Sequence, residues 1–300
     1  MYAVTFNNVR KRLGDFELNI PKLAIRQGYM TGFIGENGAG KTTTIKLILD
    51  MLQLDEGSIE VLGKNIKGGS VSIHQEIGYV GEPTGYPEET PLEAIKDMLA
   101  LFYKNWDEVL YKSYMQFFNL NSKQKYKDLS TGQKKQFAMI MALSHHPKLI
   151  LLDEPTSGLD PVVRNEILDI LMDHMQNEEV TIFYSTHITS DLEKAGDYIV
   201  YINDGQIKLN SEKDTLLNEY SLVKGPKALF KGDICKEFLG LRENSFGSEA
   251  LLKNKKVAYE LFGEEVKYSK PTIEEIMIFL SHNNSKVVTE KALRGGNKQC

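Results

Sequence analysis

The segment Gly35-Glu-Asn-Gly-Ala-Gly-Lys41-Thr42 sets three glycines, a lysine and a hydroxyl close together and fits G-x-x-x-x-G-K-[ST]. Glycines let the backbone fold so that several N–H groups converge on phosphate oxygens, and a helix starting there adds positive potential. Lys41 supplies a full charge to β- and γ-phosphates, and the Thr42 hydroxyl suits Mg²⁺. Gly35, Asn37, Gly38, Gly40, Lys41, Thr42 and Thr43 are therefore the candidate phosphate ligands. A second segment, Leu149-Ile-Leu-Leu-Asp153-Glu154, runs an apolar stretch into two carboxylates. At the C-terminal edge of a sheet beside the glycine loop, Asp153 suits the Mg²⁺ shell. Glu154, one residue further out, suits a water lined up against the γ-phosphate.

This chemistry needs a strand before the loop and a helix after it. The apolar run Met30 to Ile34 supplies the strand, and Ile45, Leu47, Ile48, Leu49, Met51 and Leu52 place a helix of about three turns behind the loop. Short strands are expected at Val4 to Phe6, Leu18 to Ile20, between Gly57 and Gly63, and at Ile77 to Val80. Thr90 with Glu93 predicts a capping box with Pro91 in the first helical position, Leu92, Ile95, Leu99 and Phe102 sharing one face. A second helix is expected over Asp107 to Phe118. Alternation then resumes with strand Leu149 to Leu152, a helix from Pro161 capped by Asp160, strand Thr181 to Ser185, and a hairpin, Tyr198 to Leu209, turning at Asp204-Gly205.

Strands alternating with helices give an α/β fold class with a parallel, doubly wound sheet. The family that the motifs resemble implies it in the form of a P-loop NTPase core with a mostly parallel sheet, an N-terminal antiparallel β subdomain, an inserted helical subdomain and a small C-terminal α+β accessory domain. The expected boundaries are 1–215 for the nucleotide-binding domain, with the insert at about 90–146, 216–282 for the accessory domain and 283–300 for a flexible tail. Thr272 and Glu275 cap its last helix, Ile273 to Leu280.

With 36 basic and 41 acidic side chains among 300 residues and 41% hydrophobic residues, the composition excludes a wholly disordered chain. Two cysteines supply no disulfide framework, which points to a reducing compartment. No apolar run reaches the roughly 18 residues of a membrane helix, and no signal peptide pattern opens the chain. A net charge of −5 argues against a broad nucleic-acid-binding face.

Leu129-Ser-Thr-Gly-Gln133 opens a further helix through a capping box of Ser130 and Gln133, which presents a helix N-terminus to an anion. With the two segments above, and with Ser157-Gly-Leu-Asp160 and His187 in the same order, residues 2 to 215 resemble the ATP-binding subunit of an ABC transporter. Thr131 stands where the family's signature usually has glycine. The resemblance implies that Asp160 lies in the D-loop, that His187 contacts the γ-phosphate, and that Lys41, Glu154 and His187 form the catalytic set. It puts Glu82 where the family commonly has glutamine, in the metal shell with Thr42 and Asp153. It sets Leu13 at the adenine-stacking position, with Phe16 near enough to substitute.

It implies ATP and Mg²⁺ as cofactors, and a head-to-tail homodimer or a heterodimer with a related subunit. Ser130, Gly132 and Gln133 of one copy would complete the other's site. It also implies a separate integral membrane permease, so that the subunit is peripheral on the inner face of the membrane. The C-terminal segment loosely resembles extensions of exporter ATPases that partner type-2 permeases. Two alternatives stay open: an ABC-type ATPase acting in translation or repair, and a regulatory subunit that binds ATP with little hydrolysis.

Overall fold

The computed structural model describes residues 1–67, 71–81, 85–281 and 288–289, which fall into two compact units, Met1–Asn210 and Ser211 onward. Glu82 lies outside the described residues. So does the tail beyond 281, apart from 288–289.

In the first unit β1 (Tyr2–Leu13) and β2 (Phe16–Arg26) form an antiparallel hairpin in which Leu13 pairs with Phe16. Both strands are far longer than the short runs read from apolar residues. Their polar members, such as Asn7 paired with Lys22, lie within the ladder and carry no apolar signal. Next come β3 (Met30–Ile34), α1 (Lys41–Ile48), β4 (Glu56–Val61), β5 (Lys64–Asn65), α2 (Val71–His74) and β6 (Ile77–Val80). The insert contributes α3 (Leu92–Ala100), α4 (Glu108–Phe117) and α5 (Thr131–Leu143). The core resumes with β7 (Leu149–Asp153), α6 (Pro161–His174), β8 (Thr181–Thr186), α7 (Thr189–Ala195), β9 (Tyr198–Asn203) and β10 (Gln206–Glu212).

Two sheets result. The antiparallel one has the order β2-β1-β4-β5, and the other β10-β9-β3-β8-β7-β6, parallel from β9 through β6. Asp204 and Gly205 both take positive φ at the turn into β10, the conformation of a tight two-residue hairpin. Every residue of β3, β7 and β8 is buried, as strands covered on both faces require. One apolar cluster runs from Phe6, Leu18 and Ile59 of the antiparallel sheet through Ile45 and Ile48 of α1 to Phe33, Leu151 and Phe183. Helix α1 is thus clamped by packing directly behind the glycine loop.

Three local expectations are corrected. Helix α1 stops at Ile48, because the amides of Met51 and Leu52 turn back to the Lys46 carbonyl and Asp50 adopts a φ of 54°. The Thr90–Glu93 capping box does not form: Pro91 is the N-cap of α3. The first amides of that helix are satisfied from the 122–124 segment, Leu92 N donating to Gln124 O at 3.0 Å and Glu93 N to Ser122 O at 2.9 Å. Phe102 lies beyond the end of α3 and is 71% exposed instead of sharing its buried face.

His145 stacks on Tyr103 with ring centroids 3.9 Å apart, and its Nε2 lies 3.1 Å from the Ile77 carbonyl. Burial lowers the pKa of His145, and likewise that of His174, below the ordinary value of 6.5. Folding therefore favours the neutral rings, whereas the unfolded chain takes up protons as the pH falls through about 6.5. Stability should decline from pH 7.5 to pH 5.5, and the urea midpoint of His145→Phe should fall less steeply over that range. Parallel slopes for the two proteins would refute a buried neutral His145.

The second unit contains α8 (Lys213–Glu219), β11 (Ser221–Gly225), β12 (Gly240–Glu243), β13 (Ser248–Leu252), α9 (Lys255–Phe262), β14 (Lys267–Ser269), α10 (Ile273–Ser281) and β15 (Val288–Thr289). The strands form one sheet of order β14-β11-β13-β12-β15, an α+β arrangement around Val223, Phe230, Leu241, Ala250 and Phe262. Thr272 and Glu275 cap α10 reciprocally, Glu275 N to Thr272 Oγ1 at 3.1 Å and Thr272 N to Glu275 Oε2 at 2.8 Å. Among the described residues, no helix is long and apolar enough to cross a membrane.

Candidate active site

Buried strand β3 delivers the chain to Gly35, where a Cβ would stand 2.5 Å from the Ile202 carbonyl of β9. Only glycine lets the loop run this close to the neighbouring strand. Gly40, the N-cap of α1, has a φ of 110°, and a Cβ on it would meet Leu18 Cδ1 at 2.9 Å and Phe16 Cζ at 3.0 Å. Having no side chain, it leaves the N-terminus of α1 without a capping acceptor of its own. Lys41, 6% exposed, curls over the loop and donates to the carbonyls of Gly35 at 2.7 Å and Glu36 at 3.1 Å.

The carboxylates arrive from β7, which β8 separates from β3 in the parallel sheet. Asp153 ends β7, accepting Thr42 Oγ1 at 2.7 Å on one oxygen and Ser185 Oγ at 3.1 Å on the other. Burial, and secondarily the charge of Asp153, push the Tyr79 hydroxyl up to about 12, so it stays neutral. Glu154 follows with a φ of 53°, its amide donating to Ser185 O at 2.9 Å. This left-handed turn swings its side chain out of the strand's alternation. Its Oε2 lies 2.8 Å from His187 Nδ1, and Oε1 lies 3.3 Å from Lys41 Nζ, within ion-pair range but outside hydrogen-bond geometry. A carboxylate only accepts, so Nδ1 is the protonated ring nitrogen of His187 in this contact.

Behind this turn lies a buried polar knot. Asp191, 1% exposed, accepts from Thr156 Oγ1 at 2.6 Å, from Tyr184 OH at 2.9 Å and from Arg164 Nε, while Arg164 Nη2 also reaches Ser190 Oγ at 2.6 Å. The knot ties the segment after Glu154 to the helix that follows His187. Burial pushes the Tyr184 hydroxyl far above its usual range, keeping it a donor. Sequence reasoning missed all five residues of the knot, and Ser185 as well. Only Ser185 had a readable signal, as a polar residue at the end of an apolar strand that registers with β7.

The structure therefore brings Lys41, Thr42, Asp153, Glu154 and His187 together, with Gly35, Asn37, Gly38, Gly40 and Thr43 in the same loop and helix start. Ser130 and Gln133 form their capping box, Gln133 N to Ser130 Oγ at 3.2 Å and Ser130 N to Gln133 Oε1 at 3.0 Å. Among the described residues, Ser130 and Gln133 make no hydrogen bond to the Gly35–Thr42 loop. Gly132 faces Leu159. Asp160 caps α6, accepting from Val162 N at 3.0 Å and Val163 N at 3.1 Å. Leu13 is 42% exposed at the hairpin tip, while the half-buried Phe16 packs against the Gly40 turn.

These groups fit a magnesium-bound triphosphate. Glycines whose absent Cβ atoms leave room, an uncapped helix N-terminus and a buried ammonium face the same loop. Among the described residues no three His, Cys, Asp or Glu side chains gather into a metal cage. A hydroxyl and one carboxylate, with the remaining places left to phosphate and water, is the donor set that Mg²⁺ takes in nucleotide sites.

A glycine loop between β3 and α1, with an acid at the end of a parallel strand one further across the same sheet, defines a P-loop NTPase. Residues 18–157 match the family model described as ABC transporter. The ABC transporter ATP-binding protein YtrB of Bacillus subtilis is 30% identical over 211 residues, 70% of this chain and 72% of the relative. The Nod factor export ATP-binding protein I of Burkholderia lata is 30% identical over 212 residues, 68% of each chain. The solved dimeric structure of a bacterial ABC transporter cassette shares the fold, with a TM-score of 0.62 at 21% identity over 70% of this chain and 98% of that one. The chain belongs to the ABC transporter family, as an ATP-binding subunit with the ABC ATPase fold.

Proposed function

We propose that this subunit powers export through a separate membrane permease, by closing as a pair around two magnesium-bound ATP molecules and reopening after hydrolysis. The observation that carries the reading is the Glu154 carboxylate, held between Lys41 and His187 at the edge of the phosphate cradle. In the proposed cycle the γ-phosphate draws the Lys41 ammonium away from Glu154. Glu154 then accepts the proton of the attacking water, and His187 orients Glu154 and the phosphate. Thr42 and Asp153 would hold Mg²⁺, which neutralises charge on the β- and γ-phosphates, and Glu82 is proposed for the same shell. Leu13 or Phe16 would contact the base.

The second copy, or a related subunit, would supply Ser130, Gly132 and Gln133; among the described residues, Ser130 and Gln133 make no hydrogen bond to the cradle of their own chain. The dimeric cassette structure supports this pairing, and the Nod factor export relative supports the direction of transport. Leu101 and Phe102, consecutive residues just past the end of α3, are 87% and 71% exposed, apolar side chains suited to a membrane subunit. The double variant Leu101→Glu, Phe102→Glu should keep the basal ATPase rate of the isolated subunit yet no longer copurify with its permease. Undiminished copurification would remove the insert from the interface.

A further inference from the structure

We propose that Lys135 is a positioning residue for Glu154, tying the water-activating carboxylate to the helix that begins at Ser130. The proposal rests on the reading of Glu154 as general base. Lys135 lies in the second turn of α5 and is 9% exposed. A buried ammonium must be met by acceptors, and here they come from the catalytic turn: Nζ donates to the Glu154 carbonyl at 3.0 Å and to the Ser157 carbonyl at 2.6 Å.

Residue 154 is thereby pinned from two sides. Its amide is held by Ser185 of β8 and its carbonyl by Lys135 of α5, while its φ of 53° is one that a side chain with a Cβ does not hold without such support. The direction in which the carboxylate leaves the backbone depends on both anchors. The two segments also lie close at Gly132, where a Cβ, were there one, would stand 3.4 Å from Leu159 Cδ2. Movement of α5, whose first residues are proposed to face the partner's nucleotide, would consequently move Glu154 in its own site.

A positioning role separates turnover from binding. In Lys135→Met, kcat should fall by about 30-fold, in the range expected when a reacting group is displaced by a fraction of an ångström, with KM and ATP affinity changed less than about twofold. Lys135→Gln, which keeps an N–H donor, should recover part of the loss. In a Glu154→Gln background, Lys135→Met should lower the residual rate no further, because the group it positions is already disabled. The proposal is overturned by wild-type kcat in Lys135→Met, by loss of ATP affinity in step with kcat, or by the same 30-fold loss in the Glu154→Gln background. Should the methionine variant not fold, Lys135→Gln is judged on the same split of kcat from KM and the same double-variant comparison. Normal hydrolysis by Glu154→Gln alone would instead sink the general-base reading, and the positioning proposal with it.

Discussion

Glu154→Gln should bind ATP as tightly as the unaltered protein while its hydrolysis rate drops by at least about 100-fold, the scale of a lost general base. The geometry gives the reason. Glutamine fills the same volume between Lys41 and His187, and its amide oxygen can still accept from one of them, so the cradle keeps its shape. What it cannot do is take a proton from water. Removing the negative charge also frees Lys41 from a competing ion pair, which favours the phosphate-bound arrangement. ATP should therefore persist uncut, and an ATP-dependent dimer should accumulate and be visible by light scattering with nucleotide and Mg²⁺. Undiminished phosphate release would remove Glu154 from its role. A variant that stays monomeric under these conditions, alone and with its permease, would remove the paired mechanism.

Lys41→Ala should fail one step earlier, at binding. The ammonium is 6% exposed and sits on two carbonyls of the loop, so in the absence of phosphate it is already part of the cradle's structure. Two charge-assisted hydrogen bonds to β- and γ-phosphates contribute about 3 kcal/mol together, equivalent to roughly 100-fold in affinity. Titration calorimetry should show that loss for ATP and a much smaller one for AMP, which has no β- or γ-phosphate to contact. Equal losses for the two nucleotides would point to a collapsed loop, and unchanged ATP affinity would refute the cradle assignment. The two variants thus fall on different sides of the cycle: Glu154→Gln blocks it with nucleotide bound, and Lys41→Ala empties it.

Much of this site was legible in the sequence because its parts are local. The cradle needs glycines, a lysine and a threonine at fixed spacing in one turn. The helix opened by Ser130 needs only Gln133 three residues on, and Asp160 caps the helix beginning at Pro161 from the adjacent position. Where neighbours in space replaced neighbours in sequence, the local reading failed. Pro91 begins α3 without the expected Thr90 box because the 122–124 carbonyls reach its amides first. Polar stretches of β1 and β2 belong to the ladder because a partner strand lies alongside, whatever their hydropathy.

Sequence alone determined the kinds of group present and their order along the chain: a phosphate loop, two acids at a strand end, a capped helix and a histidine after a strand. Each is held within a few residues by backbone geometry that side-chain type dictates. Tertiary structure alone decided which of them meet. It closed Asp153 between Thr42 and Ser185, set Glu154 between Lys41 and His187, and placed Lys135 and the Asp191 knot around the same turn. Thr42 and Asp153 stand 111 positions apart along the chain, and only packing of the parallel sheet brings them within hydrogen-bond reach.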